Sequence, residues 1–220
     1  MKKRFSVLAV LAVVAVLATG AAPDTTPGTV RAKGRQIEFP AVVTKDSFER
    51  EMLGMGMPGY HLIVWEDGRA SHAALFRAQV TDVQVLDALE KLGAKPGNAL
   101  PMETWDERKD PESKAPDKVI QGPPVDILVK VPGRKAPLTL GEILEDPGKR
   151  GFDMRFGGHR ENIPKWKSGC VVCLYSCPGS KIGNARYTVR DYEKEATRFR
   201  VKPGVLPKDG TRVTIVFRLK

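Results

Sequence analysis

Apolar and polar positions along this chain alternate in short runs more often than they form helical stripes. Gln36-Ile37-Glu38-Phe39 alternates and predicts the start of a strand. Tyr60 to Trp65 is a nearly continuous apolar run, and Asp67-Gly68 separates it from a second run, Ala70 to Arg77. Asp-Gly between two such runs predicts a hairpin, because glycine accepts the positive φ of a type I′ turn. Val125 to Val131, Phe152 to Phe156 and Val213 to Leu219 predict three further strands. Helical spacing appears at Thr81 to Gly93. There Val85, Leu86, Leu89 and Leu92 share one face, Thr81 and Gln84 form a capping box, and Gly93 ends the run. Thr139 and Glu142 form a second capping box, opening a short helix that Pro147 stops. Many strands, two short helices and no βαβ repeat predict an α+β fold of mainly antiparallel strands, with a cysteine-bearing loop in its C-terminal third.

The ends of the chain set its expected compartment. Lys2, Lys3 and Arg4 precede an uninterrupted apolar run from Val7 to Ala18, which is signal-peptide length and too short to span a bilayer. Cleavage is expected after Gly20, so residues 1–20 read as a signal peptide. No cysteine lies near that junction, which argues against a lipid anchor, and the mature protein is expected to be exported, periplasmic or secreted, with no membrane span. Residues 21–35 are rich in Pro, Thr and Gly without an apolar period and read as a disordered tether. Residues 36–220 read as the folded domain, with 101–124, rich in charge and proline, as a surface excursion.

Charge changes this picture little. The formal net charge of +10 falls to +7 once the three leader cations are removed. The remaining cations are scattered and interleaved with acids, as between Arg190 and Glu195, and no nucleic-acid-binding module accompanies them, so no nucleic-acid partner is expected. Arg155, Arg160, Lys165, Lys167, Lys181 and Arg186 do lie close in sequence to the cysteines. If they also cluster in space they would lower thiolate pKa values.

The chemistry concentrates in residues 168–179. All three cysteines of the chain fall there, as Cys170, Cys173 and Cys177, followed by Pro178. The C-x2-C-x3-C-P spacing matches the last four places of the ferredoxin run C-x2-C-x2-C-x3-C-P, and the first cysteine place falls on Lys167. Three readings follow: a transition metal or iron–sulfur cluster, a disulfide with or without a redox-active third thiol, or three inert buried thiols. Export weighs against the cluster. Clusters are assembled in the cytoplasm, the folded-protein export route reads twin arginines, and the leader has Lys2-Lys3-Arg4-Phe5. Thiols delivered to an oxidising space form disulfides readily, and an odd number leaves one over. Three sulfurs leave one place of a tetrahedral centre unfilled. His159, on its Gly157-Gly158 approach, is the first choice for that place and His72 the second, while His61 opens an apolar strand and reads as structural. Met52, Met55 and Met57 form a second soft-ligand group whose plainer reading is core packing. Trp166, Tyr187 and Tyr192 read as packing residues around the cysteine loop. No HExxH, GxSxG, phosphate-cradling glycine loop or CxxCH occurs, so an enzyme is not the favoured reading.

From Gly34 to Lys220 the chain resembles the YdjY-domain proteins, an exported bacterial group of poorly defined function. The resemblance rests on Ile37-Glu38-Phe39-Pro40, Ser71-His72, Leu86 through Gly97, Pro124-Val125-Asp126-Ile127, Ser168 through Gly179, Gly183-Asn184-Ala185 and Tyr187 through Tyr192. In one departure, Ala73 follows His72 where the family pattern has Glu. The resemblance implies an iron–sulfur label attached to the cysteine array. The resulting expectation is an exported redox or metal-binding module. Cys170, Cys173, Cys177 and His159 would hold a cluster or metal for electron transfer or metal handling, with a redox or metal-donor protein as partner. The alternative is a cofactor-free extracytoplasmic interaction domain with a structural or exchangeable disulfide.

Overall fold

Strict alternation of burial makes β2 (Gln36–Val43) the axis of the fold, with Ile37, Phe39, Ala41 and Val43 buried on one face and half-buried Gln36, Glu38, Pro40 and Val42 on the other. The computed structural model describes residues 28–50, 58–98, 100–115, 117–193 and 198–220. The signal-peptide stretch, the first part of the expected tether and Met52, Met55 and Met57 lie outside the described residues. The tether ends earlier than expected. Arg31–Lys33 forms a strand, β1, that turns through Gly34 at φ +60° and pairs antiparallel with β2. Next come α1 (Lys45–Glu49), β3 (His61–Trp65), β4 (Ala74–Ala78), α2 (Asp82–Lys91) and α3 (Met102–Asp106). The chain continues through β5 (Val125–Lys130), β6 (Leu138–Thr139), α4 (Leu140–Ile143), β7 (Leu144–Glu145) and β8 (Met154–Phe156). It closes with α5 (Ile163–Trp166), β9 (Cys170–Cys173), β10 (Ile182–Asn184), α6 (Val189–Glu193), β11 (Arg200–Val201) and β12 (Arg212–Leu219).

The fold is α+β, as the pattern predicts. Ten strands form one sheet in the order β6-β5-β12-β2-β4-β3-β9-β10-β8, with β1 beside β2, while β7 and β11 pair separately. All pairings are antiparallel except β3 with β4 and β9 with β10. The sheet curls until its ends approach: Pro124, just before β5, bridges to Arg155 of β8, and the Phe156 amide donates to the Pro123 carbonyl at 3.0 Å. Pro40 sits inside a central strand without breaking it, because it falls where the partner of β2 changes from β1 to β4. One cluster of buried side chains lines the inner face, from Ile37 through Leu86 and Phe156 to Leu219.

Both capping boxes form. Thr81 Oγ1 accepts from the Gln84 amide at 3.0 Å, and Thr139 Oγ1 accepts from the Glu142 amide at 3.3 Å. Four further helices, α1, α3, α5 and α6, escape sequence reading because each has at most five residues and so no full apolar stripe. The hairpin expected at Asp67-Gly68 is absent: β3 and β4 run parallel. A turn at Trp65–Gly68 is followed by a second, 3₁₀ turn at Ser71–Ala73, so the direction reverses twice. Gly68 serves close approach rather than positive φ, since a Cβ there would lie 2.4 Å from the Ser168 carbonyl oxygen and 2.6 Å from Gly169 Cα. The segment 101–124 is likewise more than a surface excursion. It buries Thr104 and Ile120, and the Ile120 amide donates to Ser176 Oγ at 2.9 Å.

Candidate metal centre

Strand β9 lies between β3 and β10 and all four of its residues are buried. On a regular strand, residues three apart face opposite sides. Here the register with β3 runs His61↔Cys173, Ile63↔Val172, Val64↔Cys170, skipping Leu62 on one strand and Val171 on the other. These two irregularities turn Cys170 and Cys173 to one side, opposite His61. The result is a compact donor group. Cys170 Sγ and Cys173 Sγ are 2.9 Å apart, and His61 Nδ1 lies 3.6 Å from the first and 3.8 Å from the second. All three donor atoms lie within 4.8 Å of one another.

Cys177 follows on the loop after β9 and interacts with Cys173. The loop is held on every side. The Gly179 amide donates to Cys177 Sγ at 3.4 Å, Asn162 Nδ2 to the Pro178 carbonyl at 2.8 Å, and the Lys181 amide to the Val171 carbonyl at 3.2 Å. Gly179 admits the Trp166 indole delivered by α5, for a Cβ there would lie 2.6 Å from Trp166 Cε3. Trp105, on α3, meets Trp166 at 5.1 Å between ring centroids, and Trp166 Nε1 donates to Met102 Sδ at 2.8 Å. Tyr192 and Tyr187 pack on Tyr175 behind the loop, as packing residues should.

The imidazole beside the sulfurs is not the expected one. His159 is buried, but its Nδ1 lies 2.7 Å from the Ser180 carbonyl, and its Nε2 lies 2.7 Å from the Asn98 carbonyl and 3.1 Å from the Leu100 amide. Both ring nitrogens are engaged with backbone, so His159 fastens the loop exit to residues 98–100 and does not join the sulfurs. His72 stands at the edge of the cavity beside the cysteines, with Nδ1 donating to the Arg69 carbonyl at 2.9 Å. His61, read as structural, is the imidazole beside the thiols. It lies 109 residues from Cys170 in sequence, and no local pattern announces a pairing of β3 with β9.

Three of the six expected cations are paired with acids. Arg155 pairs with Asp153 at 2.7 Å, and Arg160 with Asp87 at 2.6 Å and Glu90 at 2.8 Å. Lys181 is buried and pairs with buried Asp82 at 3.1 Å, yet its ammonium still acts on Cys170. Burial pushes the Cys170 thiol up, but hydrogen bonds from Cys173 and His61, aided by the charges of His61 and Lys181, outweigh it and bring the pKa down to about 6. Cys173 is pushed well above the ordinary thiol range by burial and by the two thiols beside it. Burial also raises Cys177, but its hydrogen bond with Cys173, helped by the Tyr60 hydroxyl and the Gly179 amide, brings it below its ordinary value. The Tyr60 hydroxyl is fully buried and has no well-aligned hydrogen-bond partner among the described residues, so the Cys177 sulfur is the group it serves.

In this α+β sheet protein two buried thiols and the His61 imidazole therefore converge at one cavity, with Cys177 also on its lining. The chain belongs to the YdjY domain family, whose match runs over residues 29–218. It is 32% identical over 160 residues to "Uncharacterized protein YdjY" of Escherichia coli (strain K12), covering 72% of this chain and 67% of that one. No solved structure matches the chain. Among the described residues, no helix is long and apolar enough to cross a membrane.

Proposed function

We propose that the protein is an exported metal-handling or redox module in which His61, Cys170 and Cys173, completed by Cys177, hold one soft transition-metal ion. The observation that carries this reading is the convergence of one imidazole nitrogen and two sulfurs within 4.8 Å in a buried setting. With metal–sulfur bonds of about 2.3 Å and metal–nitrogen bonds of about 2.0 Å, a tetrahedral site has N···S edges of about 3.6 Å and S···S edges of about 3.8 Å. The two His61–sulfur distances, 3.6 and 3.8 Å, fit such edges, and the 2.9 Å sulfur pair would need to open by less than an ångström. A thiolate and imidazole set suits zinc or Cu(I). The Gly179 amide donating to Cys177 Sγ, with the buried Tyr60 hydroxyl nearby, is the kind of outer partner that such sites use to hold their ligands ionised. A [4Fe–4S] cluster takes one cysteine per iron, so this tight convergence favours a single ion over a cluster of that type.

The same 2.9 Å separation favours a second reading, a Cys170–Cys173 disulfide in a cofactor-free domain with Cys177 left as a thiol. One experiment separates them: metal, acid-labile sulfide and free-thiol content of full-length protein isolated anaerobically from its native compartment. The expected result is about one zinc or copper ion per chain, no labile sulfide, and metal lost in His61→Ala and Cys170→Ser. Iron with sulfide would replace the single ion by a cluster. A single free thiol without metal would establish the bridged domain instead.

A further inference from the structure

The cysteines do not end in solid core. A cavity of about 330 Å³ opens in front of them, within the size range of small-molecule sites, about 300–1,000 Å³. Cys170, Cys173 and Cys177 are at most 2% exposed and form its deep end. Its walls are apolar and aromatic, with Trp105 and Trp166 meeting edge to face at 5.1 Å. Among the described residues no carboxylate lines it.

Its cations differ in how far they are committed. Arg108 lies 4.0 Å over the Trp105 ring and pairs with Glu193 at 2.8 Å, so it braces the indole and its charge is balanced. Arg69 is exposed at the mouth, and its guanidinium has no hydrogen-bond or ion-pair partner among the described residues. Its backbone, by contrast, is fixed: the amide donates to the Lys167 carbonyl at 3.1 Å, the carbonyl accepts from His72, and the next amide, of Ala70, donates to Ser168. A guanidinium carried on a fixed backbone, unpaired among the described residues, at the mouth of an indole-walled cavity calls for an anion on a flat apolar body.

We infer that this cavity binds a small aromatic carboxylate, its ring against Trp105 and Trp166 and its carboxylate on Arg69, directly in front of the cysteine group. The inference needs the walls and the mouth, not the ion, so it stands apart from the metal reading. The probes are benzoate, its neutral analogue benzyl alcohol and its cationic analogue benzylamine. Each is titrated into reduced full-length protein by calorimetry and tryptophan fluorescence, once with chelator and once with zinc. The expected result is saturable benzoate binding with chelator present, about tenfold weaker for benzyl alcohol and for Arg69→Gln, the loss of one charge-assisted hydrogen bond, and no binding of benzylamine. Arg69 is exposed, so its variant should fold normally, and Trp166→Leu should weaken all aromatic probes together. Absence of saturable benzoate binding would overturn the inference, as would equal binding of benzoate and benzyl alcohol or an unchanged Arg69→Gln. Benzoate binding to protein that takes up no zinc even in the zinc-added titration would leave the inference standing and the metal reading fallen.

Discussion

His159 shows what burial does to a titratable ring. Desolvation pulls its pKa below the ordinary 6.5, with the Ser180 and Asn98 carbonyls opposing. The unfolded chain therefore takes up a proton near pH 6.5 that the fold resists. Stability from this residue is fully present above that pH and falls as pH drops through the lowered native value. Melting temperatures between pH 7 and pH 5 should decline, and His159→Gln should flatten the decline. An unchanged slope in the variant would remove His159 as its cause. Metal content should survive in His159→Gln, because both ring nitrogens already face backbone. The grouping of the three thiols was legible from spacing alone. Their imidazole was not, since choosing between His159, near in sequence, and His61, near in space, required knowing which strands pair.

At the scale of elements, the first residue of α2 and the exit of the cysteine loop are locked together. Asp82 opens α2 and its carboxylate holds the buried Lys181 ammonium, which also donates to the Gly179 carbonyl at 3.3 Å. Asp82→Asn leaves a buried charge without its partner and should cost about 3–5 kcal/mol, whereas Asp82→Leu with Lys181→Met should recover most of that loss. Chemical denaturation of the wild type and these two variants measures both. A second lock is the close approach of Gly68 to Gly169, just before Cys170. Gly68→Ala drives a methyl into backbone that cannot yield cheaply, so about 1–3 kcal/mol of stability and much of the metal affinity should go together. Gly141→Ala, where a Cβ meets nothing within 4 Å, is the matched control and should be neutral. The capped helices were readable because a capping box is a four-residue pattern, and the alternating strands because burial on one face imposes period two. The parallel pairing of β3 and β4 was not, because Asp67-Gly68 signals a turn and says nothing of the second turn that follows it.

For the whole molecule, a metal that bridges β3 to β9 joins residues far apart in sequence and so should stabilise the entire fold rather than one loop. Binding to the native state alone adds about 2.7 kcal/mol when free ligand stands at a hundred times its dissociation constant. For a domain of this size each kcal/mol raises Tm by about 2–4 °C, so zinc added to reduced protein should raise Tm by about 5–10 °C. A chelator should reverse the rise, and His61→Ala should abolish it. Oxidation gives the discriminating arm. A Cys170–Cys173 bridge would remove two donors at once, so oxidised protein should show no zinc-dependent shift, and reduction should restore it. If oxidised and reduced protein respond to zinc alike, the ion binds elsewhere. If neither responds, the 2.9 Å sulfur pair is a bridge waiting to close, and the converging imidazole only packs against it.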